Sequence, residues 1–246
     1  MSQFQTIIYE KQAGIARIGL NRPKVLNAYN IQMRDDLYQI LAAIKDDPEA
    51  KVVVLYGMGE RAFCAGADLS EFLSAPSPII ARQVRWERDV WGLFLSLPQP
   101  IIAALHGFVL GSGMEMALCC DIRIASDDAQ FGLPEMSLGL IPAAGATQTL
   151  PRIVGRAASL EMLLANRWLK AQESYDLGLV SQVVPRDQLM LVVDGMARKL
   201  ADYDQKTLRT IKEAVLRGCD LSLEEGLELE RRLAGRLFQK DTALRL

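Results

Sequence analysis

The sequence predicts an α/β fold built around a parallel β-sheet. Short runs of β-branched residues, among them Lys51-Val-Val-Val-Leu-Tyr56, are typical of strands that are buried on both faces. Up to about residue 145, such strands alternate with segments whose apolar residues recur at helical spacing, which is the pattern of βαβ units. Beyond that point helical spacing predominates. We therefore expect an α/β core followed by a helical C-terminal region that packs on something else, such as another subunit.

The first predicted elements are two strands and a helix. Residues Thr6–Glu10 and Ile15–Leu20 have the alternation of strands, and we expect them to pair. Asn30 is the expected N-cap of the helix, because its side chain can accept a hydrogen bond from the first helical turn. The predicted apolar face of this helix consists of Met33, Leu37, Ile40, Leu41 and Ile44.

Helices and strands continue to alternate further along the chain. Residues 79–97 predict a helix, Pro100–Leu105 a buried strand, Gly111–Cys120 (GSGMEMALCC) a helix and Asp121–Ala125 another strand. The last helix has the best marked start, since Ser222-Leu-Glu-Glu225 has the spacing of a capping box. Its predicted apolar face consists of Leu223, Leu227, Leu233, Ala234 and Leu237.

The composition is that of a soluble globular protein. Half of the 246 residues are hydrophobic and 24% are charged, and the formal net charge is −2. This balance gives no basic surface for nucleic acid or for an acidic membrane, so neither is an expected partner. The N-terminus lacks the basic-then-apolar pattern of a signal peptide, and no apolar run approaches the ~18 residues that span a bilayer. We predict a cytoplasmic protein.

The metal-binding and nucleophilic residues are few. Because His106 is the single histidine, a multi-histidine metal site is excluded, and we expect no metal ion and no cofactor. His106 follows an apolar run and is interpreted as a strand-end residue without a catalytic role. The four cysteines have neither the spacing of a disulfide framework nor a CxxC pair, so they are expected to be reduced and mostly buried. Gly111-Ser-Gly113 is not a dinucleotide fingerprint, because Met116 occupies the third glycine position.

Two segments combine small residues with a carboxylate at a predicted helix start. In Cys64-Ala-Gly-Ala-Asp68, Asp68 can cap a helix with Glu71 at its third position, and outward-pointing N–H groups could meet a ligand. The alternative is a tight strand-to-helix turn with no other role. In the second segment, Ser112 is the expected N-cap and Glu115 lies three residues further on. Glu115 is then either the second member of a capping box or a buried carboxylate used in chemistry.

A second apolar segment, Phe131-Gly-Leu-Pro-Glu135, carries another glutamate. The alternative interpretation of Glu135 is a loop salt bridge with Arg123 or Arg152. Two buried carboxylates at one site shift each other's pKa values apart and so supply an acid and a base. Two N–H groups at helix starts would form an oxyanion hole. This combination suits a reaction that proceeds through an enolate.

These motifs, in this order and spacing, resemble those of the enoyl-CoA hydratase/isomerase (crotonase) superfamily. The resemblance extends over nearly the whole chain and includes Leu20-Asn-Arg-Pro-Lys-Val-Leu-Asn-Ala28. It implies a crotonase-like ββα-superhelix core in residues 1–190 that holds the acyl-CoA site. Residues 191–246 would form a C-terminal helical oligomerisation region packing on the core and on neighbouring subunits. The family forms trimers and dimers of trimers, so we expect a homotrimer or a dimer of trimers.

The resemblance also implies roles for individual residues. Glu115 would activate the water that adds to the β-carbon of a 2-enoyl-CoA, and Glu135 would supply the proton to the α-carbon. The backbone N–H groups of Ala67 and Ser112 would hold the thioester oxygen. CoA is part of the substrate and not a cofactor. The residues expected to line the CoA and acyl path are Leu26, Ala28, Ala65, Gly66, Asp68, Leu69, Gly111 and Pro142.

The resemblance leaves alternatives open. A Δ3,Δ2-enoyl-CoA isomerase would use mainly Glu135, and a more distant alternative is an RNA-binding or non-catalytic protein on the same fold. Pro142-Ala-Ala-Gly-Ala146 stands where relatives have a more glycine-rich loop, which we expect to influence the acyl group that fits. The acyl chain length and the pathway, whether β-oxidation or the breakdown of amino acids or aromatic acids, stay open.

Overall fold

The computed structural model describes residues 4–71 and 87–242, and side chains as far as residue 237. The strands are β1 Ile7–Gln12, β2 Ile15–Leu20, β3 Val52–Gly57, β4 Ala62–Cys64, β5 Ile101–Leu105, β6 Phe108–Leu110, β7 Ile122–Ser126, β8 Gln130–Gly132, β9 Leu169–Lys170 and β10 Gln182–Val184. The α-helices are α1 Ile31–Asp46, α2 Val90–Ser96, α3 Ser112–Leu118, α4 Ala146–Leu164, α5 Ala171–Asp176, α6 Leu189–Asp202, α7 Gln205–Gly218 and α8 Leu223–Thr242. Short 3-10 helices cover Pro23–Val25, Leu69–Glu71, Pro134–Leu138 and Arg186–Gln188.

The strands form two sheets that the chain visits in turn. The larger sheet has six strands in the order β1-β2-β3-β5-β7-β10, and the smaller has four in the order β4-β6-β8-β9. In three successive units, the first strand (β3, β5, β7) joins the larger sheet and the second (β4, β6, β8) joins the smaller. The units beginning with β5 and β7 continue into α3 and α4. The loops that follow the second strands therefore lie side by side at one edge.

The predicted parallel sheet is confirmed. β2, β3, β5, β7 and β10 pair in parallel, whereas β1 pairs with β2 in the antiparallel sense. The predicted strand over Lys51–Tyr56 appears as β3 and is buried on both faces. Val53 and Leu55 belong to the main core, while Val52 and Val54 pack in a second core beneath α6. The covering of both faces explains why this strand carries no polar alternation.

The predicted first helix is also confirmed. Asn30 caps α1, and its side chain accepts a hydrogen bond from the Met33 N–H at 2.9 Å. All five residues of the predicted apolar face are buried. His106 directly follows β5 and is buried, as expected of a strand-end residue.

Some predicted elements differ in the structure. Of the helix expected over 79–97, residues 79–86 lie outside the described residues. The rest is interrupted, because Asp89 accepts a hydrogen bond from the Gly92 N–H at 2.9 Å and begins a new helix, α2, at Val90. The capping box of α8 is confirmed, with the Glu225 carboxylate 3.0 Å from the Ser222 N–H.

The predicted apolar face of α8 is only partly right. Leu233 is buried, but it is accompanied by Leu229, whereas Leu223 is 80% exposed and Leu227 is 48% exposed. Among the described residues, α8 packs chiefly against α7, and this contact leaves the side chains of Leu223 and Leu227 largely uncovered.

Cysteine, metal and membrane features can be stated for the described residues. Cys64, Cys119 and Cys120 are buried free thiols, and Cys219 is an exposed one. Over residues 4–71 and 87–242, no group of three or more histidine, cysteine, aspartate and glutamate side chains could hold a metal ion. None of the helices in these ranges combines the length and the apolarity needed to cross a bilayer.

Candidate active site

The segment after β4 pairs with the segment that follows the first 3-10 helix. The Tyr29 N–H donates to the Gly66 carbonyl at 2.8 Å, and the Asp68 N–H donates to the Tyr29 carbonyl at 2.8 Å. These two bonds make a parallel bridge between Tyr29 and Ala67. In such a bridge, the residue between the two bonded peptide groups, here Ala67, directs its own N–H away from the partner strand. The Ala67 N–H accordingly donates to no acceptor within the described residues.

Two glycines bring a second backbone turn against this segment. Gly66 has a φ of +109° and Gly111 a φ of +49°, and each directly precedes a predicted oxyanion donor. A Cβ placed on Gly111 would lie 3.4 Å from Gly66 Cα, so the two turns touch. Ser112 begins α3, so its N–H has no acceptor inside the helix. The structure thus brings the predicted donors Ala67 and Ser112 onto neighbouring turns.

Glu115 is buried and its carboxylate is held by the loop before α4. Its Oε1 accepts hydrogen bonds from the Ala144 N–H at 2.8 Å and the Ala146 N–H at 3.3 Å. The predicted capping box with Ser112 is wrong, because Gly111 is the N-cap and no side chain caps α3. The positive φ of Gly145, between the two donors, allows both N–H groups to reach one oxygen.

Glu135 lies in the 3-10 helix that follows β8. Its Oε2 is buried and has no hydrogen-bond partner among the described residues. Burial raises the pKa of this carboxyl, because the charged form is desolvated. The alternative salt bridges are wrong: the Arg123 guanidinium donates to the carbonyls of Leu179 and Cys120, and Arg152 pairs with Asp220 at 3.1 Å.

Glu135 lies against the backbone turn from which the helix of Glu115 begins. A Cβ on Gly111 would lie 3.0 Å from Glu135 Oε1, so Glu135 rests against the turn that precedes α3. Glu115 is one helical turn further along, and its N–H donates to the Gly111 carbonyl at 2.9 Å. A carboxyl with a raised pKa therefore lies against the start of the helix that carries the second glutamate, and groups of this kind can transfer protons beside a developing oxyanion.

Asp68 caps the 3-10 helix over Leu69–Glu71 without help from Glu71. Asp68 Oδ1 accepts bonds from the Ser70 hydroxyl at 2.6 Å and the Ser70 N–H at 3.1 Å, and its Oδ2 lies 2.9 Å from an Arg22 nitrogen. The hydrogen bonds from Ser70 and then Arg22 lower the pKa of Asp68. The predicted capping box, in which Glu71 would accept a hydrogen bond from the Asp68 N–H, is wrong. The Asp68 N–H donates to Tyr29, and Glu71 Oε2 accepts from the Ile31 N–H at 2.7 Å.

The other predicted lining residues fall into two groups. Leu26 and Ala28 lie in the segment paired with Ala65 and Gly66, and the Ala65 N–H donates to the Leu26 carbonyl at 3.0 Å. The second group consists of Leu69, which follows Asp68 and is 58% exposed, and Pro142, which is buried at the start of the loop that holds Glu115.

Sequence reasoning missed two residues that shape this site. Asn27 is fully buried with a left-handed φ of 55°, and its side chain joins the segment to neighbouring loops. Arg22 bridges the two paired segments. An asparagine between apolar neighbours was the available signal for Asn27, because asparagine tolerates left-handed backbone better than most residues. No local signal identified Arg22, because its partner Asp68 lies in a distant part of the sequence.

Comparison with known proteins identifies the family to which this chain is similar. A family described as "Enoyl-CoA hydratase/isomerase" matches residues 10–244. The chain is 34% identical to the crotonyl-CoA hydratase of Syntrophomonas wolfei, covering 96% of this chain and 90% of that protein. It is 35% identical to the short-chain-enoyl-CoA hydratase of Clostridium acetobutylicum, covering 97% and 92%.

Solved structures of similar fold lead to the same family. The crystal structure of an enoyl-CoA hydratase from Bacillus anthracis superposes with a TM-score of 0.89 at 37% identity, covering 94% of this chain and 90% of that one. The predicted crotonase-like fold is confirmed.

Proposed function

Because the chain belongs to the enoyl-CoA hydratase/isomerase family, we propose that Glu115 and Glu135 are the two catalytic carboxylates of a hydratase reaction. The protein is a hydro-lyase of the enoyl-CoA hydratase type, which adds water reversibly across the 2,3 double bond of a 2-enoyl-CoA thioester. Fatty-acid metabolism is the process that this reaction serves.

In the proposed mechanism, the thioester oxygen accepts hydrogen bonds from the N–H groups of Ala67 and Ser112. Water loses a proton to Glu115 as its oxygen bonds to the β-carbon, and the electron pair of the double bond moves towards the thioester oxygen. The resulting enolate takes a proton at the α-carbon from Glu135. Dehydration reverses these roles. The substrate path would follow the two groups of predicted lining residues and pass Gly111, whose turn lies against Gly66.

One observation carries this proposal. Within the part of the chain that the structure describes, Glu135 Oε2 is buried without a hydrogen-bond partner, and Glu135 rests on the turn that leads into the helix of Glu115. Burial disfavours the charged form of Glu135 and so raises its pKa, a shift that suits a proton donor. Glu115 differs, because two backbone N–H groups orient it. The environments of the two carboxyls are therefore unequal, as separate acid and base roles require.

The isomerase alternative is not favoured, because the relatives described above are hydratases. The test is hydration of crotonyl-CoA, followed by loss of the enoyl-thioester absorbance, for the wild type, Glu115→Gln and Glu135→Gln. We expect each variant to lose about 10²- to 10⁴-fold in kcat. Glu10→Gln, at an exposed position of β1, is the control for the loss of a charge and should keep full activity. Conversion of a 3-enoyl-CoA without hydration of crotonyl-CoA, dependent on Glu135 alone, would contradict the hydratase mechanism.

We also propose that residues 191–246 mediate assembly into a homotrimer or a dimer of trimers, with residues 1–190 as the core that holds the site. Large apolar side chains of this region that are 47% to 80% exposed support the proposal: Leu191 at 71%, Ile211, Val215, Leu216, Leu223 and Leu227. Light scattering tests it, and a monomer at micromolar concentration would contradict it.

A further inference from the structure

Arg22 joins the two backbone segments that flank the proposed oxyanion donor. Its Nη1 donates to the Ala28 carbonyl at 2.6 Å and lies 2.9 Å from Asp68 Oδ2. Ala28 precedes Tyr29, and Asp68 follows Ala67, so one guanidinium nitrogen bonds both sides of the bridge between Tyr29 and Ala67. The contact therefore fixes the distance between the two segments at the residue adjacent to the donor.

The main chain of Arg22 is itself anchored. The Arg22 N–H donates to Asn27 Oδ1 at 2.9 Å, and the Asn27 N–H donates to the Arg22 carbonyl at 3.0 Å. Asn27 is fully buried. The guanidinium therefore starts from a fixed backbone position, and little freedom remains for it to follow a shift of Asp68.

We propose that Arg22 is a positioning residue that holds the Ala67 N–H in place for the thioester oxygen, an inference that rests on the proposed hydratase function. Arg22 does not touch the reacting atoms in this arrangement. It acts through Asp68, whose position determines that of the neighbouring peptide group. An oxyanion donor contributes only when it lies at hydrogen-bond distance from the position that the charged oxygen takes, so a small displacement is enough to lower the rate.

A rival role for Arg22 is direct binding of the CoA phosphates. Its burial argues against that role, because the side chain is only 21% exposed and that of Asp68 is 15% exposed. Its Nη1 is already bonded to a carboxylate and a carbonyl, so a phosphate would have to reach the remaining nitrogens of a largely buried side chain. The two roles predict different kinetics, since a phosphate ligand contributes to binding of every acyl-CoA whereas a positioning residue acts on the charged oxygen.

The experiment compares Arg22→Met with Arg17→Met as a matched control. Arg17 also forms a partly buried ion pair, 2.7 Å from Asp194 Oδ1, but it joins β2 to α6 away from the site. We would measure kcat and KM for crotonyl-CoA. We would also measure the dissociation constants of butyryl-CoA and of acetoacetyl-CoA, whose bound enolate is detected by its ultraviolet absorbance. Butyryl-CoA reports ground-state binding, and the enolate reports the oxyanion donors.

For Arg22→Met we expect kcat to fall about 10- to 100-fold and enolate binding to weaken in parallel. Binding of butyryl-CoA should change by less than about 3-fold, because ground-state binding places little charge on the oxygen. Arg17→Met should melt at a lower temperature and keep its kcat within about 2-fold. The effects of Arg22→Met and Asp68→Asn should be far from additive, because the two residues act through one contact.

Several outcomes would overturn the proposal. Weaker binding of butyryl-CoA with unchanged kcat would make Arg22 a ligand of the nucleotide, and equal kcat losses in both arginine variants would make the effect structural. If Arg22→Met does not fold, Arg22→Lys and Asp68→Asn must show the same selective loss of enolate binding. A wild type that does not hydrate crotonyl-CoA refutes the proposed function instead, and the ratio of enolate to butyryl-CoA binding then still decides the role of Arg22.

Discussion

Replacing Asn27 by alanine should destabilise the protein far more than a typical surface substitution. The Asn27 side chain donates to the carbonyls of Met58 and Ala62, both at 2.9 Å, and accepts from the Arg22 N–H at 2.9 Å. All three bonds are lost in Asn27→Ala. The alanine would also have to adopt the left-handed φ of 55° that asparagine tolerates.

The expected size follows from these contacts. Three hydrogen bonds at a net value of about 1 kcal/mol each give about 3 kcal/mol. Alanine in a left-handed conformation adds about 1 kcal/mol, for a total loss of about 4 kcal/mol in the free energy of unfolding. Asn166 supplies the matched control, because it has a φ of 51° but its side-chain hydrogen bonds are exposed to solvent. Asn166→Ala should lose only about 1–2 kcal/mol.

Urea denaturation at a fixed protein concentration measures both losses. With a slope of about 3 kcal/mol per molar, the midpoint of Asn27→Ala should fall by somewhat more than ~1 M. The difference of about 2–3 kcal/mol between the two variants isolates the buried hydrogen bonds. Equal losses would refute this reasoning, because both positions share the left-handed backbone but only Asn27 makes buried hydrogen bonds.

Gly111→Ala should reduce crotonyl-CoA hydration at least about 10-fold, because the new Cβ would lie 3.0 Å from Glu135 Oε1 at a residue with a φ of +49°. The control is Gly178→Ala, which has a φ of +74° but no atom within 4 Å of the new Cβ, and it should keep its activity. Equal hydration rates in the two variants would contradict the contact between Gly111 and Glu135. Burial lowers the pKa of His106 to about 4, so the NMR signal of this single histidine should not titrate between about pH 5 and pH 8. As the pH falls, the imidazole of the unfolded chain takes up a proton before that of the folded protein, so the free energy of unfolding should decrease from about pH 6.5 towards pH 4. An NMR titration midpoint near pH 6.5 would contradict the burial of the His106 ring. Burial raises the pKa of Glu135 above its usual 4.5, so its contribution to stability is present below that pH and lost as pH rises through the folded pKa. Glu135→Gln should remove this decline from a plot of melting temperature against pH, and an unchanged plot would contradict it.

Local patterns were sufficient for the elements whose environment is uniform. The apolar face of α1 was predicted because all of it packs on one core, and β3 was predicted because a core covers each of its two faces along its length. The cap at Asn30 was predicted because its hydrogen bond stays within one helical turn. These features depend on neighbours in sequence, which periodicity and capping preferences describe.

The site was predicted less completely because distant segments complete it. Ser112 was expected to cap α3, but contact with Gly66 requires the turn to lie at Gly111, and the Glu115 carboxylate is taken by a loop about 30 residues further along the chain. The bridge between Tyr29 and Ala67 likewise joins segments that no local spacing connects. The break before α2 is different, since aspartate at position 89 was a local signal for a helix start.

The contact between Gly66 and Gly111 has a consequence for how this activity can be inherited. If the oxyanion donors are the main-chain groups of the residues that follow these glycines, mutation at position 67 or 112 leaves each N–H in place and changes only its surroundings. The side chains there can drift, and with them the shape of the entrance, while the polarising function persists. Loss of function would instead arise at the glycines, because a side chain at either position strains the left-handed backbone and, at position 111, crowds Glu135. Substrate preference thus depends on the side chains at positions 67 and 112, whereas catalysis depends on the neighbouring glycines. Substitutions that change the preferred substrate can therefore accumulate while the protein stays active.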